Sequence, residues 1–499
     1  MLYRVVQEHL ATFLAGAEAG GSLPRFVKRE LSAFLECGIP AHGFIRVRCP
    51  TCRLDGLVAF SCKGRGFCPS CGGRRMADTA AHLVDRVLPE VPVRQWVLSL
   101  PHAVRFMLAY DRRLCGRVLG TFVRALLAWH RRRAREWLGF ANAESGTVTV
   151  IQRFGSALNL NVHFHVLALD GVYAPVEESG GPGIRFHALP APETAEVAEL
   201  LAVVTRRIFR VLVRSGRLRK EEDGYTVVSR EEVESERAGS ALASCQAASV
   251  GSRIALGPRA GGRVRRLGDQ VEVDWSPTGQ ASRPRCAERA GFSLHADVWV
   301  GAHDRKRLER LCRYIARPAI ATERLSECED GRIAYSLRHR WRDGTTGMLF
   351  EPGELIEKLV ALVPAPRGHL VRYHGVLAPH ARWRAQVVGD RREEQGPEAE
   401  GPGQAAVPGD APGPESTVET RELRERRLSW AQLMLRVFEV DVLKCPDCGG
   451  RRALIAVITQ PEVIAAFLTS LGLPTRAPPM APVRKAGPGE DDPGEPPPF

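Results

Sequence analysis

The chain has 499 residues, 44% of them hydrophobic and 25% charged, which is globular composition with material for two to four domains. It holds no run of eighteen apolar residues and no leader with an apolar core and a small-residue cleavage site, so an intracellular protein without a membrane helix is expected. The net charge of +13 and a pI near 9.4 favour a polyanionic partner, because phosphate neutralisation releases condensed counterions; codon bias toward arginine would give the same surplus, so charge alone assigns nothing.

Residues 1–36 read as two short helices. Six of the 13 cysteines then fall between Cys37 and Cys71, and in a reducing compartment such clustering reads as metal ligation. Cys49-x2-Cys52 and Cys68-x2-Cys71, with fifteen residues between the pairs, have the spacing of a four-cysteine zinc ribbon. One Zn2+ is expected on these four thiolates. A closed set leaves no open position, so this zinc is structural. Cys37, His42 and Cys62 are left over; they could complete a second site, but with only three donors evident they read rather as reduced core residues. Basic residues surround the pairs, Lys63 and Arg65 among them, as suits a zinc-stapled DNA-binding module.

A helix over 76–90 and a strand over Arg94–Leu100 follow. Residues 111–138 have helical periodicity, and Thr147–Gln152 is a strand. After a Gly155-Ser156 turn, Asn159–Leu167 alternates strictly: Leu160, Val162, Phe164 and Val166 are apolar, and Asn159, Asn161, His163 and His165 are polar. On a strand both imidazoles project from one face, about 7 Å apart at roughly 3.4 Å of rise per residue, and can converge on one metal ion. Asp170-Gly171 supplies a turn. A long amphipathic helix spans 192–215, and residues 216–290 read as a polar, Arg- and Gly-rich insertion.

Phe292–Val300 alternates again, with His295 and Asp297 on its polar face. The segment His303–Arg317 reads as a helix with Asp304 as N-cap, a buried stripe of Leu308, Leu311, Cys312 and Ile315, and a stop at Pro318. Tyr314 sits at the margin of that stripe. Arg307, Arg310 and Arg317 are expected on its side of the helix, where they would grip a phosphate. Twin histidines, a further donor and a tyrosine among arginines suggest one chemistry, in which a divalent ion polarises a phosphate and a tyrosine attacks it.

Short strands at 333–337 and 346–350 precede a helix over 352–362. Arg372, Tyr373, His374 and His380 form a basic, imidazole-rich segment suited to packing or phosphate contact, with Tyr373 as runner-up nucleophile. Cys445-Pro446-Asp447-Cys448 is half a ribbon with no second pair after it; one pair cannot close a tetrahedral site, so it either borrows ligands from elsewhere or is a relic. The expected domains are 1–90 (helical and zinc-binding, DNA recognition), 91–388 (catalytic, with the insertion around 216–290), a linker at 389–419, a small Cys-x2-Cys unit at 420–475, and a disordered tail at 476–499.

Five ordered blocks resemble the rolling-circle HUH transposases of the insertion-sequence-91 type, including common-region element transposases. They are Ser61–Cys71, Gln152–Gly155 leading to His165, Arg313–Pro318, Arg372–His380, and Ser429–Trp430–Ala431 through Cys448. The resemblance implies an α+β fold, with an HUH endonuclease-like, mostly antiparallel sheet and packed helices behind a small zinc-ribbon and helical domain. It implies a single-strand DNA endonuclease and strand transferase with His163 and His165 as ligands of Mg2+ or Mn2+, and Tyr314 as the nucleophile that forms a 5′-phosphotyrosine. Gln152 and His295 both qualify as third ligand. Family members with two nucleophiles space their tyrosines four apart, but Arg310 and Pro318 occupy those positions here, so a single-tyrosine enzyme is expected. The implied partners are single-stranded DNA and element ends, with a host helicase and replication proteins, in the bacterial cytoplasm at the nucleoid. The competing readings are a zinc-ribbon DNA-binding protein without catalysis and a relaxase or replication initiator of the same chemistry.

Overall fold

A computed structural model describes residues 1–19, 21–178, 181–222, 224–228, 240–268, 283–389, 430–438 and 441–484. The chain opens with α1 (Leu2–Ala19) and α2 (Arg25–Glu36); Val27, Leu31 and Phe34 recur at helical spacing on α2 and are buried. A hairpin of β1 (Phe44–Arg48) and β2 (Asp55–Ala59) leads to α3 (Pro69–Arg86), which starts with Cys68 as N-cap and Pro69 in its first turn. Next come β3 (Val93–Ser99), α4 (His102–Tyr110) and α5 (Arg112–Leu138). The Asp111 carboxylate accepts the Leu114 N–H at the start of α5, and Gly139 at φ 72° ends it, a left-handed cap that favours glycine.

The central strands are β4 (Gly146–Phe154) and β5 (Leu160–Leu169), followed by the hairpin β6 (Gly171–Glu178) and β7 (Gly181–Ala188) and by α6 (Thr194–Arg214). A second hairpin, β8 (Leu218–Glu221) and β9 (Gly224–Val227), precedes α7 (Ala241–Val250), β10 (Arg265–Leu267), β11 (Cys286–Arg289), β12 (Phe292–His295) and β13 (Trp299–Val300). The tyrosine helix is α8 (Arg305–Ile315). After it come β14 (Leu325–Glu327), β15 (Ile333–Ser336), β16 (Gly347–Phe350), α9 (Pro352–Leu362), β17 (Val371–Gly375) and α10 (Arg384–Val388). The last elements are α11 (Trp430–Phe438), β18 (Ala453–Ile458) and α12 (Pro461–Ser470).

The main sheet is antiparallel in the order β11-β12-β3-β5-β4-β17, with β13 also on β3, so the histidine strand is central. This is the α+β class expected. Leu160, Val162, Phe164 and Val166 face a core built with α4, α5 and α6, including Phe122, Trp129, Leu201 and Ile208. Fully burying each such side chain contributes about 1.5–3 kcal/mol. The opposite face carries Val148, Val150, Leu167 and Leu169 beneath Leu83 and Val84 of α3 and Leu308, Cys312 and Ile315 of α8. Both faces are covered, and the polar row of β5 lies on the side of the tyrosine helix.

Several boundaries differ from the sequence reading. Phe292–Val300 is two strands, because Arg94 draws the Ala296 carbonyl to its Nη1 (3.0 Å) while the Gln95 N–H takes the Val298 carbonyl (2.9 Å). Helices α1 and α2 share a core with α7, β14–β16 and α9. The insertion holds α7, whose Ala241 and Cys245 are fully buried; its Ala- and Ser-rich sequence has no charged face to betray a helix. Within 420–475, β18 pairs antiparallel with β1 in the sheet β18-β1-β2. Part of the expected tail runs along α1: Gln7 Nε2 donates to the Pro479 carbonyl (2.7 Å), and the Arg484 N–H to Thr12 Oγ1 (2.9 Å). The linker beyond Gly389 and the tail beyond Arg484 lie outside the described residues. No helix among the described residues is long and apolar enough to cross a membrane.

Candidate active site and cysteine clusters

His163 and His165 sit on one face of β5 with ring centroids 4.9 Å apart. His163 Nδ1 lies 2.9 Å from the Asn161 carbonyl, which can only accept, so Nδ1 carries the proton and Nε2 keeps its lone pair. His165 Nδ1 lies 2.8 Å from the Gln95 amide, and its Nε2 is buried without a partner among the described residues. An orphaned buried ring nitrogen beside a second free imidazole nitrogen suits a divalent cation. Ligation through Nε2 requires the proton on Nδ1, so the Gln95 amide would then present its oxygen to that proton. Burial pushes His163 down to about 4, against a raising hydrogen bond from Asn161, with Arg105 and Arg317 pushing down further. Burial, then His163 and Arg317, push His165 to about 3. Both rings are therefore neutral at pH 7.

Tyr314, at the end of α8, meets the His165 ring edge to face at 6.3 Å between centroids and is 43% exposed. The Arg317 guanidinium lies over the Tyr314 ring, 4.4 Å from its centroid. Leu308, Cys312 and Ile315 hold the helix on the sheet. Of the three arginines expected around the tyrosine, Arg317 makes this contact from just beyond the helix, whereas Arg307 and Arg310 are exposed on α8. Tyr373 lies on edge strand β17, opposite Val148 of β4.

Gln152 is the cross-strand partner of His163, is 3% exposed, and donates from Nε2 to the Ile315 carbonyl (3.1 Å), leaving Oε1 for a cation. One side chain thus ties β4, the neighbour of the histidine strand, to the end of the tyrosine helix. His295 instead pairs with Val97, which pairs with His165. Two strand spacings of about 4.8 Å separate its backbone from that of His165. Gln95 went unnoticed in the sequence, although it is a polar residue inside an apolar strand.

A cleft of about 530 Å³ opens beside this centre, lined by Arg65, Arg75, Gln152, Arg153, Arg317 and His369 among others. Gln152 and Arg317 connect it to the histidines, which do not line it. Arg65 and Arg317 thus face one groove, and Lys63 is exposed at its rim, where Arg75 holds its carbonyl (3.1 Å).

The cysteines form two sets of four, each with sulfurs within 4.8 Å of one another: Cys37, Cys62, Cys68 and Cys71, and Cys49, Cys52, Cys445 and Cys448. The expected single site on Cys49, Cys52, Cys68 and Cys71 is therefore corrected. Cys68 and Cys71 open α3, whereas Cys49 and Cys52 turn the β1–β2 hairpin, and each pair finds a different complement. Cys37 and Cys62, read as core residues, complete the first set; His42 joins neither. In the first set Cys37–Cys71, Cys62–Cys71 and Cys37–Cys68 are 3.8, 3.4 and 3.7 Å apart. A tetrahedral ion with Zn–S near 2.3 Å has edges of about 3.8 Å, so these four thiols fit Zn2+. Cys71, in the first turn of α3, is held below the usual thiol range by hydrogen bonding from Cys37, then Cys62 and Cys68, as a thiolate at a helix N-terminus should be.

Residues 5–100 match the family model described as "Transposase zinc-binding domain", and residues 146–385 match the one described as "Putative transposase". No curated protein and no solved structure matches the chain. Fold, thiolate clusters and both matches define a transposase, a DNA-cleaving enzyme with structural zinc in its N-terminal region. Within that class the chain belongs to the insertion-sequence-91-type transposases.

Proposed function

We propose that this transposase nicks and rejoins single-stranded DNA through a covalent bond to Tyr314, moving its element by a rolling-circle mechanism. The observation that carries this reading is the meeting of the Tyr314 ring with His165 beneath the Arg317 guanidinium. His163 and His165 would hold Mg2+ or Mn2+, with Gln152 Oε1 as third ligand. A cation there would act as a Lewis acid on the scissile phosphate.

Arg317 and the cleft arginines orient the phosphate by charge-assisted hydrogen bonds. Tyr314 Oη attacks phosphorus as the P–O3′ bond breaks. The phenol proton passes to water, and the leaving 3′ oxygen takes one from water, giving a 5′-phosphotyrosine and a free 3′-OH that can prime synthesis. Rejoining reverses the exchange; one phosphodiester replaces another, so no ATP is consumed. Strand separation falls to a host helicase, since the sequence has no Walker-type loop. With one tyrosine, the second transfer uses Tyr314 again, a 3′-OH or another subunit's tyrosine.

Incubating the full chain with Mn2+ and a single-stranded oligonucleotide carrying an element end tests this reading. A DNA adduct should map to Tyr314 by mass spectrometry. Binding without an adduct would instead support a non-catalytic DNA-binding protein.

A further inference from the structure

The Cys49, Cys52, Cys445 and Cys448 set is built from two knuckles with one backbone plan. In Cys49-Pro50-Thr51-Cys52-Arg53-Leu54, the Cys49 N–H donates to the Leu54 carbonyl and the Arg53 N–H to the Cys49 carbonyl, both at 2.9 Å. In Cys445-Pro446-Asp447-Cys448-Gly449-Gly450, the Cys445 N–H donates to the Gly450 carbonyl (2.8 Å) and the Gly449 N–H to the Cys445 carbonyl (3.0 Å). The fifth residue of each turns left-handed, Arg53 at φ 61° and Gly449 at φ 72°. Glycine takes that conformation readily; an arginine takes it where the surrounding turn demands it.

The two knuckles face each other. Cys49 and Cys448, 399 positions apart in sequence, have sulfurs 3.4 Å apart, and Cys52 and Cys445 have sulfurs 3.5 Å apart. A disulfide would need about 2.05 Å, whereas the edge of a four-thiolate zinc site is about 3.8 Å. Strand pairing fixes the approach: Arg48, just before the first knuckle, lies opposite Ala453, and Lys444 bridges Arg451 at the base of the second. We infer that these four thiolates bind a second structural zinc ion, in a ribbon split between the two ends of the chain. The two family matches stop at residues 100 and 385, so neither contains the second knuckle.

The site also sets the position of what precedes it. Helix α11, just upstream of the second knuckle, places Arg436 on Asp85 of α3 (3.0 Å) and on Glu309 of α8 (2.7 Å). The split ribbon thus anchors an arm that clamps the tyrosine helix. The inference stands independently of the chemistry assigned to Tyr314.

The full chain should carry two zinc ions by elemental analysis, and the double variant Cys445→Ser/Cys448→Ser one. In that variant iodoacetamide should label Cys49 and Cys52 while Cys37, Cys62, Cys68 and Cys71 stay protected. Because the variant could fail to fold, the wild type is also titrated with chelator and labelled. Cys49, Cys52, Cys445 and Cys448 should become reactive together as one zinc leaves. One zinc in the wild type, two in the variant, disulfides in place of thiols, or labelling of Cys445 and Cys448 before any metal is lost would each overturn the inference.

Discussion

Asp170→Asn removes a charge from a deeply buried arginine pair at the end of the histidine strand. Asp170 follows β5, and both its oxygens accept from Arg94, from Nε and Nη2, at 2.8 Å. The side chains are 4% and 9% exposed. A surface pair would be worth under about 1 kcal/mol, but losing one partner of a buried pair strands the other charge and costs about 3–5 kcal/mol. Asparagine keeps one acceptor oxygen and Arg94 keeps the Ala296 carbonyl, so about 3 kcal/mol is expected. At 1.4 kcal/mol per tenfold, hydrogen exchange of the β3 and β5 amides should quicken about a hundredfold wherever it proceeds through opening of this sheet. Replacing both partners, Arg94→Met with Asp170→Leu, should recover much of the loss, because no stranded charge remains. Quickening of less than about threefold, or single effects that simply add in the double variant, would refute the claim that desolvation governs this pair.

Gly72→Ala should separate α3 from the turn after Tyr314, because its Cβ would sit 2.8 Å from Pro318 Cβ, a ring atom that cannot swing away. DNA nicking should fall at least tenfold with zinc content unchanged, while Gly73→Ala, which meets nothing within 4 Å, should leave activity intact. Phe164→Ala, at a fully buried position between the histidines, should destabilise the sheet by about 3–5 kcal/mol in denaturant unfolding. His130 is held at about 4 by burial, against a raising backbone hydrogen bond from Leu126. The unfolded chain, near 6.5, takes up that proton first, so stability present above pH 6.5 is lost as pH falls toward 4, by about 3 kcal/mol in all. Thermal unfolding from pH 8 to 4 should show a smaller acid loss for His130→Leu.

What the sequence made legible was whatever repeats locally. Strict alternation located β5 and the shared face of His163 and His165, and the Leu308, Cys312 and Ile315 stripe located the tyrosine helix. Long-range pairings were not readable. Cys-x2-Cys spacing marks thiolates that share an ion but says nothing of which pairs meet, and proximity in sequence favoured Cys49/Cys52 with Cys68/Cys71. The partners came instead from Cys37 and Cys62 and from the far end of the chain, through the pairing of β18 with β1. Helix α7 escaped because its Ala- and Ser-rich sequence carries no charged stripe.

The central claim is that Tyr314 is the nucleophile served by a cation on His163 and His165. The decisive measurement is a side-by-side reaction of wild type, Tyr314→Phe and His163→Ala with a single-stranded element end and Mn2+, scored by mass spectrometry of the protein–DNA adduct and by DNA binding in parallel. The account predicts an adduct on Tyr314 in the wild type and none in either variant, with binding retained by all three. An adduct that persists in Tyr314→Phe, or maps to Tyr373, would contradict it.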